Sequence, residues 1–260
     1  MSNFEILVLS LPDASERREN FHRNFNSVSK VNYRFFDGIY GKNLDQTTLD
    51  EIYSASKANH KIGRGLTLGE IGATYSHYLM YKEAIQKDLD YLIVLEDDSY
   101  LSSDFDVVLK QILSKFNNTD DSIIFIQEHT LNSKVIFSNH SIIVHEKYTV
   151  SKMLGSSQYF VGSYGYIITK AALLKIVQNY LPLYCVCDHW YFIKKQSQIK
   201  NFYALRPSIV CTNEEHVREI DSFINEERKK VLKKTELSYL ARLKIFTKKI
   251  LLPILNKDWE

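Results

Sequence analysis

The run Tyr91–Tyr100, YLIVLEDDSY, sets three carboxylates, Glu96, Asp97 and Asp98, directly after residues suited to the middle of a sheet. Like charges this close repel, so the cluster is costly unless something positive sits among them. Hard carboxylate oxygens at a rigid strand end suit Mg2+ or Mn2+, and such a cation keeps open positions for substrate phosphates. A solvated acidic turn is the plain alternative for any EDD run. The buried strand before it, and the polar groups expected at the same edge, favour the cation clamp.

Those further groups come from several segments. Arg17 and Arg18 follow the β-rich run EILVLSL and the Pro12-Asp13 break, while Asp37-Gly38 closes VNYRFFDG. In an α/β fold such strand ends share one edge with the ligand. Glu70 and His77 share a helix face, although Glu70 reads equally as the acid of a capping box and His77 as a hydrogen-bonded core residue. Gly162, Ser163, Tyr164 and Gly165 read as a tight turn that lets substrate approach backbone, with a simple hairpin turn as the alternative. In CVCDHW, Asp188 lies in an apolar, aromatic setting, and Trp190 offers a flat face to a sugar ring. Asp188 could equally cap the helix that follows. His216 in NEEHVRE is a late candidate ligand that reads better as a surface helix residue. Cys185 and Cys187 have no partner pair for a soft metal, and with Cys211 they make three cysteines, a count that fits reduced thiols in a cytosol.

Strands alternate with helices along the chain. EILVLSL precedes a helix in which Asp13 is expected to cap, Glu16 to reach back, and Phe21 and Phe25 to sit one turn apart. In LTLGEIGATYSHYLMYKEAIQ, Thr67 and Glu70 form a capping box, and Gly69, Gly72 and Ser76 form a small-residue face that lets another backbone come close. YLIVLE, IIFIQE and SIIVH are apolar runs, and QYFVGSYGYIITKAALLKIV reads as strand, glycine turn, strand and a helix opened by Thr169. The pattern predicts an α/β fold with a mainly parallel, Rossmann-like central sheet flanked by helices.

With 260 residues, 45% apolar and 13% aromatic, the chain can bury a real core. The opening MSNFEILVLSLPD has no basic leader and too short an apolar run to span a bilayer, so neither a signal peptide nor a transmembrane helix is expected. The net charge of +2 hides an asymmetry: residues 228–249 hold nine Lys/Arg against Glu236 alone, leaving 24 basic and 30 acidic residues elsewhere. We therefore divide the chain into a catalytic domain, 1–225, and a basic amphipathic segment, 226–260, suited to an anionic membrane surface rather than to nucleic acid.

The blocks LVLSLPDASERRENF, YRFFDGIYGKNL, LTLGEIGATYSHYLMYKEAI, YLIVLEDD, GSYGYIITKAALLKI and CDHWYF resemble, in order, those of glycosyltransferase family 25. This family covers lipooligosaccharide galactosyltransferases and their collagen-modifying relatives. The resemblance implies a GT-A type fold and inverting transfer from a UDP-sugar, usually UDP-galactose, with Mn2+ (or Mg2+) present. It also implies that the acidic triplet stands at the family's metal block, with Glu96 and Asp98 as ligands and Asp98 the first choice. The expected donor contacts are Leu9, Ser10, Arg17, Arg18, Asp37, Gly38, Glu70, His77 and Asp97, with a solvated helix face as the alternative for Arg17 and Arg18, and the expected acceptor contacts are Gly162, Ser163, Tyr164 and Trp190. Tyr40 and Ala73 depart from the pattern, standing where the family has an acid and commonly a Cys.

Such a transfer needs charge neutralised on a diphosphate leaving group and a base for the incoming hydroxyl. Asp188, outside the metal block, is the expected base. The expected acceptor is a lipid-linked oligosaccharide at the inner face of the inner membrane, with the protein cytoplasmic and peripheral. The competing readings are a glucosyltransferase on the same scaffold and a catalytically silent sugar-nucleotide or glycan-binding module. A metal-dependent phosphohydrolase fits less well, because its metals need dispersed ligands.

Overall fold

A computed structural model describes residues 3–128, 135–155, 160–212, 247 and 251–253. His216 and nearly all of segment 226–260 therefore lie outside the described residues. Eight strands form one sheet in the order β2-β1-β3-β8-β5-β9-β7-β6. These are β1 (Phe4–Ser10), β2 (Tyr33–Asp37), β3 (Tyr91–Glu96), β5 (Ser122–Phe125), β6 (Phe137–His145), β7 (Tyr148–Met153), β8 (Gly165–Thr169) and β9 (Asn201–Arg206). Six of the eight point the same way, because only β7 and β8 run against their neighbours. This is the α/β fold with a mainly parallel central sheet flanked by helices that the sequence predicts. β4 (Ser99–Leu101) pairs with β10 (Val210–Thr212) in a separate ribbon beside the acidic triplet.

Alternation along the strands builds two cores, since successive side chains point to opposite faces. Ile6, Val8, Ile93 and Leu95 pack with Phe21 and Phe25 of α1 (Ser15–Val28) and with Phe105 and Ile112 of α5 (Phe105–Lys115). Leu7, Leu92 and Val94 pack on the other face with Tyr78 and Tyr81 of α4 (Leu68–Gln86), Leu173 of α6 (Lys170–Asn179) and Trp190 of α7 (Trp190–Ser197). Both faces are covered, which is why β3 reads as a continuous apolar run. Two short helices, α2 (Gln46–Ile52) and α3 (Ala55–Ile62), bridge β2 to α4.

Local signals behave mostly as expected. The Thr67–Glu70 capping box is complete, and Thr169 caps α6 by accepting from the Ala172 amide. Phe21 and Phe25 stack one turn apart with ring centroids 5.6 Å apart. Two expectations are corrected. Ala14, not Asp13, occupies the N-cap of α1 with no side-chain cap bond, because Asp13 accepts a hydrogen bond from the Tyr40 hydroxyl. The hairpin turn that stood as the alternative at Gly162–Gly165 is not formed: residues 160–164 are irregular, and β8 pairs with β3 and β5.

Among the described residues no helix is long and apolar enough to cross a membrane. Near the chain end, Leu252 is buried against Ile136 and Leu154, whereas Leu251 is half exposed.

Candidate active site

Parallel pairing sets Leu9 opposite Glu96 and Ser10 opposite Asp37, so the ends of β1, β2 and β3 lie at one edge. The Asp97 amide donates to Leu9 O at 3.1 Å and the Gly38 amide to Ser10 O at 2.8 Å, which turns both strand ends tightly over β1. Ser10 is the hub. Its hydroxyl donates to Asp97 Oδ2 at 2.6 Å and accepts from Arg18 Nε at 3.1 Å. Arg18 Nη2 donates to Ser10 O at 3.1 Å and to Asp37 Oδ1 at 2.5 Å, and its guanidinium lies 4.9 Å from the Phe35 ring centroid. Neighbouring helix positions point about 100° apart, so adjacent arginines reach different acids. Arg17 turns to the triplet, pairing with Asp97 and lying 3.5 Å from Asp98 Oδ2.

The three acids differ electrically. Burial raises the Asp98 pKa to about 7, reinforced by Glu96 and Asp97 and opposed by Arg17. Burial also leaves Asp97 above the usual carboxylate range, although Arg17 and Ser10 pull the other way. Burial pushes Glu96 up as well, but hydrogen bonding and charge from His77, then Ser163, bring it below its ordinary value. Among the described residues, Asp98 Oδ1 and Arg17 Nε are buried with no hydrogen-bond partner. An orphaned carboxylate oxygen beside a guanidinium, all on hard oxygen donors, fits a divalent cation. Among the described residues no three acids, histidines or cysteines form a ready-made ion cage.

Beneath the triplet runs a buried polar chain. Ser163 Oγ donates to Glu96 Oε1 at 2.6 Å, and His77 Nε2 lies 3.6 Å from the same oxygen. His77 is wholly buried; its Nδ1 lies 2.7 Å from the Tyr166 hydroxyl, which is 2.7 Å from the Tyr81 hydroxyl. Burial opposes the charged imidazole, but Cys187 and then Glu96 outweigh it and raise the His77 pKa to about 10. Glu70 faces elsewhere. Both its oxygens bind Arg64 at 2.7 Å and one also accepts from the Thr67 amide, so its carboxylate is spent on the start of α4.

On the far side, Gly162 takes φ +96°, and a Cβ there would lie 2.6 Å from Gln127 Nε2, so only glycine fits. Trp190 corrects an expectation: it is fully buried, packs against Phe125 and Tyr166 at centroid distances of 4.8 and 5.0 Å, and cannot face a sugar. Its indole instead donates to Gly162 O at 2.8 Å and holds the Gly162–Tyr164 segment in place. Tyr164 donates to Glu128 O at 3.0 Å.

Asp188 sits in the turn before α7. His189 occupies the N-cap with no side-chain cap bond, so the capping alternative for Asp188 falls away. Among the described residues, Asp188 Oδ1 is buried without a hydrogen-bond partner. The Cys187 amide donates to Thr74 Oγ1 at 3.2 Å and its sulfur lies 3.6 Å from Ser163 Oγ, which ties this turn to the acidic block. Sequence reading had missed Tyr81, Tyr166 and Cys187 as neighbours of the site. Tyr81 alone had a signal, standing four residues after His77 on the same helix face.

Residues 3–191 match the family model described as glycosyltransferase family 25 (LPS biosynthesis protein). Procollagen galactosyltransferase 1-A of Xenopus laevis is 35% identical over 101 residues, covering 38% of this chain but only 16% of that relative's length. The lipooligosaccharide biosynthesis protein lex-1 of Haemophilus influenzae is 25% identical over 293 residues, covering 100% of this chain and 94% of the relative. A solved glycosyltransferase involved in glycosylation of the major capsid of PBCV-1 aligns with a TM-score of 0.43 at 10% identity over 87% of this chain and 99% of that one, too loose a likeness to speak about the site. With the match running through every strand end that carries the acids and arginines described above, the chain belongs to glycosyltransferase family 25.

Proposed function

We propose that the protein transfers a hexose, most simply galactose from UDP-galactose, to a sugar of a lipooligosaccharide or lipopolysaccharide acceptor. The observation that carries this is the acidic edge itself: Asp97 and Asp98 on one guanidinium beside Glu96, with an oxygen of Asp98 buried and, among the described residues, unpartnered. Glu96 and Asp98, with Asp98 the first choice, would hold a divalent cation, Mn2+ or Mg2+, which supplies charge neutralisation at the donor diphosphate. Asp188 accepts the proton of the acceptor hydroxyl as its oxygen attacks the anomeric carbon, and UDP leaves with inversion. The buried Oδ1 of Asp188, without a hydrogen-bond partner among the described residues, supports that role.

Galactose is favoured because the frog relative is a procollagen galactosyltransferase, and a lipid-linked acceptor because lex-1 is a lipooligosaccharide biosynthesis protein. A glucosyltransferase is the second reading, since one hydroxyl epimer separates the donors. A cytoplasmic site on the inner face of the inner membrane follows from the same acceptor and from the basic tail. A screen of UDP-sugars that reads released UDP with and without Mn2+ tests the whole reading. Release from UDP-galactose only when acceptor sugar and Mn2+ are present is the expected result. Absence of both UDP release and UDP binding would reduce the protein to a non-catalytic module.

A further inference from the structure

The two adjacent arginines at the acidic edge are held in opposite ways. Every contact of Arg18 is with the scaffold: the backbone and side chain of Ser10, Asp37 and the face of Phe35. Arg17 touches the triplet through one terminal nitrogen, keeps Nε buried without a partner, and leaves 36% of its side chain exposed. Its guanidinium charge occupies the carboxylates that a divalent cation would need. His77, wholly buried and with Nε2 3.6 Å from Glu96 Oε1, points at the same cluster through Glu96.

Resting on the proposed sugar-nucleotide reading, we infer that Arg17 is an internal stand-in cation that exchanges partners. Without ligand it neutralises Asp97 and Asp98; with a nucleoside diphosphate present it leaves the carboxylates and pairs with the diphosphate oxygens. A planar guanidinium suits either partner, since carboxylate and phosphate both accept its paired N–H groups. Position 17 lies in the first turn of α1, where the helix N-terminus adds its own attraction for an anion. Arg18 does not exchange: four of its contacts would break to free it, and its role is to position Ser10 and Asp37.

The exchange makes an unusual pair of expectations, because the same side chain competes with the cation and assists the nucleotide. Removing it strengthens one and weakens the other. In the full chain bearing Arg17→Gln, Mn2+ alone, titrated by the loss of its free electron paramagnetic resonance signal, binds at least threefold more tightly than to wild type. UDP, titrated by calorimetry at saturating Mn2+, binds at least tenfold more weakly. Arg17→Lys keeps a point charge without the fork and falls between the two on both measurements. Affinities that fall together, or do not move, in Arg17→Gln overturn the inference while wild type still binds UDP with Mn2+. Wild type that binds no UDP overturns the sugar-nucleotide reading itself. If Arg17→Gln melts far below wild type, Arg17→Lys decides, since a simple structural role predicts that neither affinity shifts in the opposite sense to the other.

Discussion

Glu96, Asp97 and Asp98 follow one another in the chain but meet three environments. Glu96 faces Ser163 and His77, Asp97 faces Ser10 and Arg17, and Asp98 keeps one oxygen toward Arg17 and the other without a partner. Asp98 is thus the acid least committed to the scaffold and most available to a cation. Asp98→Asn should weaken Mn2+-dependent UDP binding by roughly tenfold or more, because an amide oxygen is a poorer ligand than a carboxylate. Its melting temperature should not fall, since the substitution also relieves repulsion from Glu96 and Asp97. Calorimetry and thermal melts on one preparation check both halves. Asp188 sits outside this set. Asp188→Asn should lower turnover roughly 10²- to 10⁴-fold, the range for losing a general base, while UDP affinity stays within about twofold. A parallel loss of UDP affinity would move Asp188 to the donor side. The types and spacing of these acids were legible in the sequence, but Trp190 was not: an aromatic beside a carboxylate reads alike whether it faces a sugar or a core. Only Phe125 and Tyr166 packed around it decide.

The elements hold the edge in place from both ends. At the site end, α4 meets the chain after β2 through Gly72: a Cβ there would lie 2.5 Å from Ile39 O and from the Gly41 amide, both backbone. Ser76 locks the contact by accepting from the Ile39 amide at 2.8 Å. Gly72→Ala should therefore cost about 1–3 kcal/mol in urea unfolding, the usual penalty for overpacking that backbone cannot relieve. A variant as stable as wild type would deny the close approach. At the opposite end of β1, Glu5 binds Arg34 of β2 at 2.5 Å and Lys87 beyond α4 at 2.9 Å. Burial works against the Glu5 charge, but Arg34 and Lys87 hold its pKa below 4.5. A depressed carboxyl pKa stabilises the fold above the unfolded value and loses that contribution as pH falls through the folded one. Glu5→Gln should cost roughly 1 kcal/mol at pH 7, as for a small ion-pair network, and the gap should narrow as acid titrates Glu5 below the ordinary glutamate range. Equal gaps at neutral pH and in acid would remove charge as the cause. Signals carried within one segment, such as the Thr67–Glu70 box, the β3 run and the Thr169 cap, were readable. Those that need a distant partner were not: β8 pairs with β3 and β5, and Tyr166 meets His77 across 89 positions.

Across the whole molecule, charge is divided between a net acidic body and a basic tail, with nine Lys/Arg in residues 228–249 against Glu236 alone. In the sequence, Leu237, Leu240, Leu243, Phe246, Ile250 and Leu251 fall on one broad helical face, with Arg242 and Lys249 opposite, the pattern of a helix lying on an anionic surface. Most of that stretch lies outside the described residues, and Leu252, buried on Ile136 and Leu154, ties the chain end to the body. Anchoring at Leu252 and attachment through residues 228–234 are compatible, because they use different parts of the tail. Removing the tail would expose Ile136 and Leu154, so charge removal is the cleaner experiment. We propose that the full chain carrying Lys229→Gln, Lys230→Gln, Lys233→Gln and Lys234→Gln keeps its melting temperature but floats at least tenfold less with vesicles containing phosphatidylserine. Each basic residue near such a surface is worth about 1 kcal/mol, so four are ample for that loss. Raising salt should reproduce the effect in wild type, because the attraction is screened within a Debye length of about 8 Å at physiological ionic strength. Equal flotation of the two proteins on anionic vesicles would leave the tail as a segment packed on the body with its lysines in water.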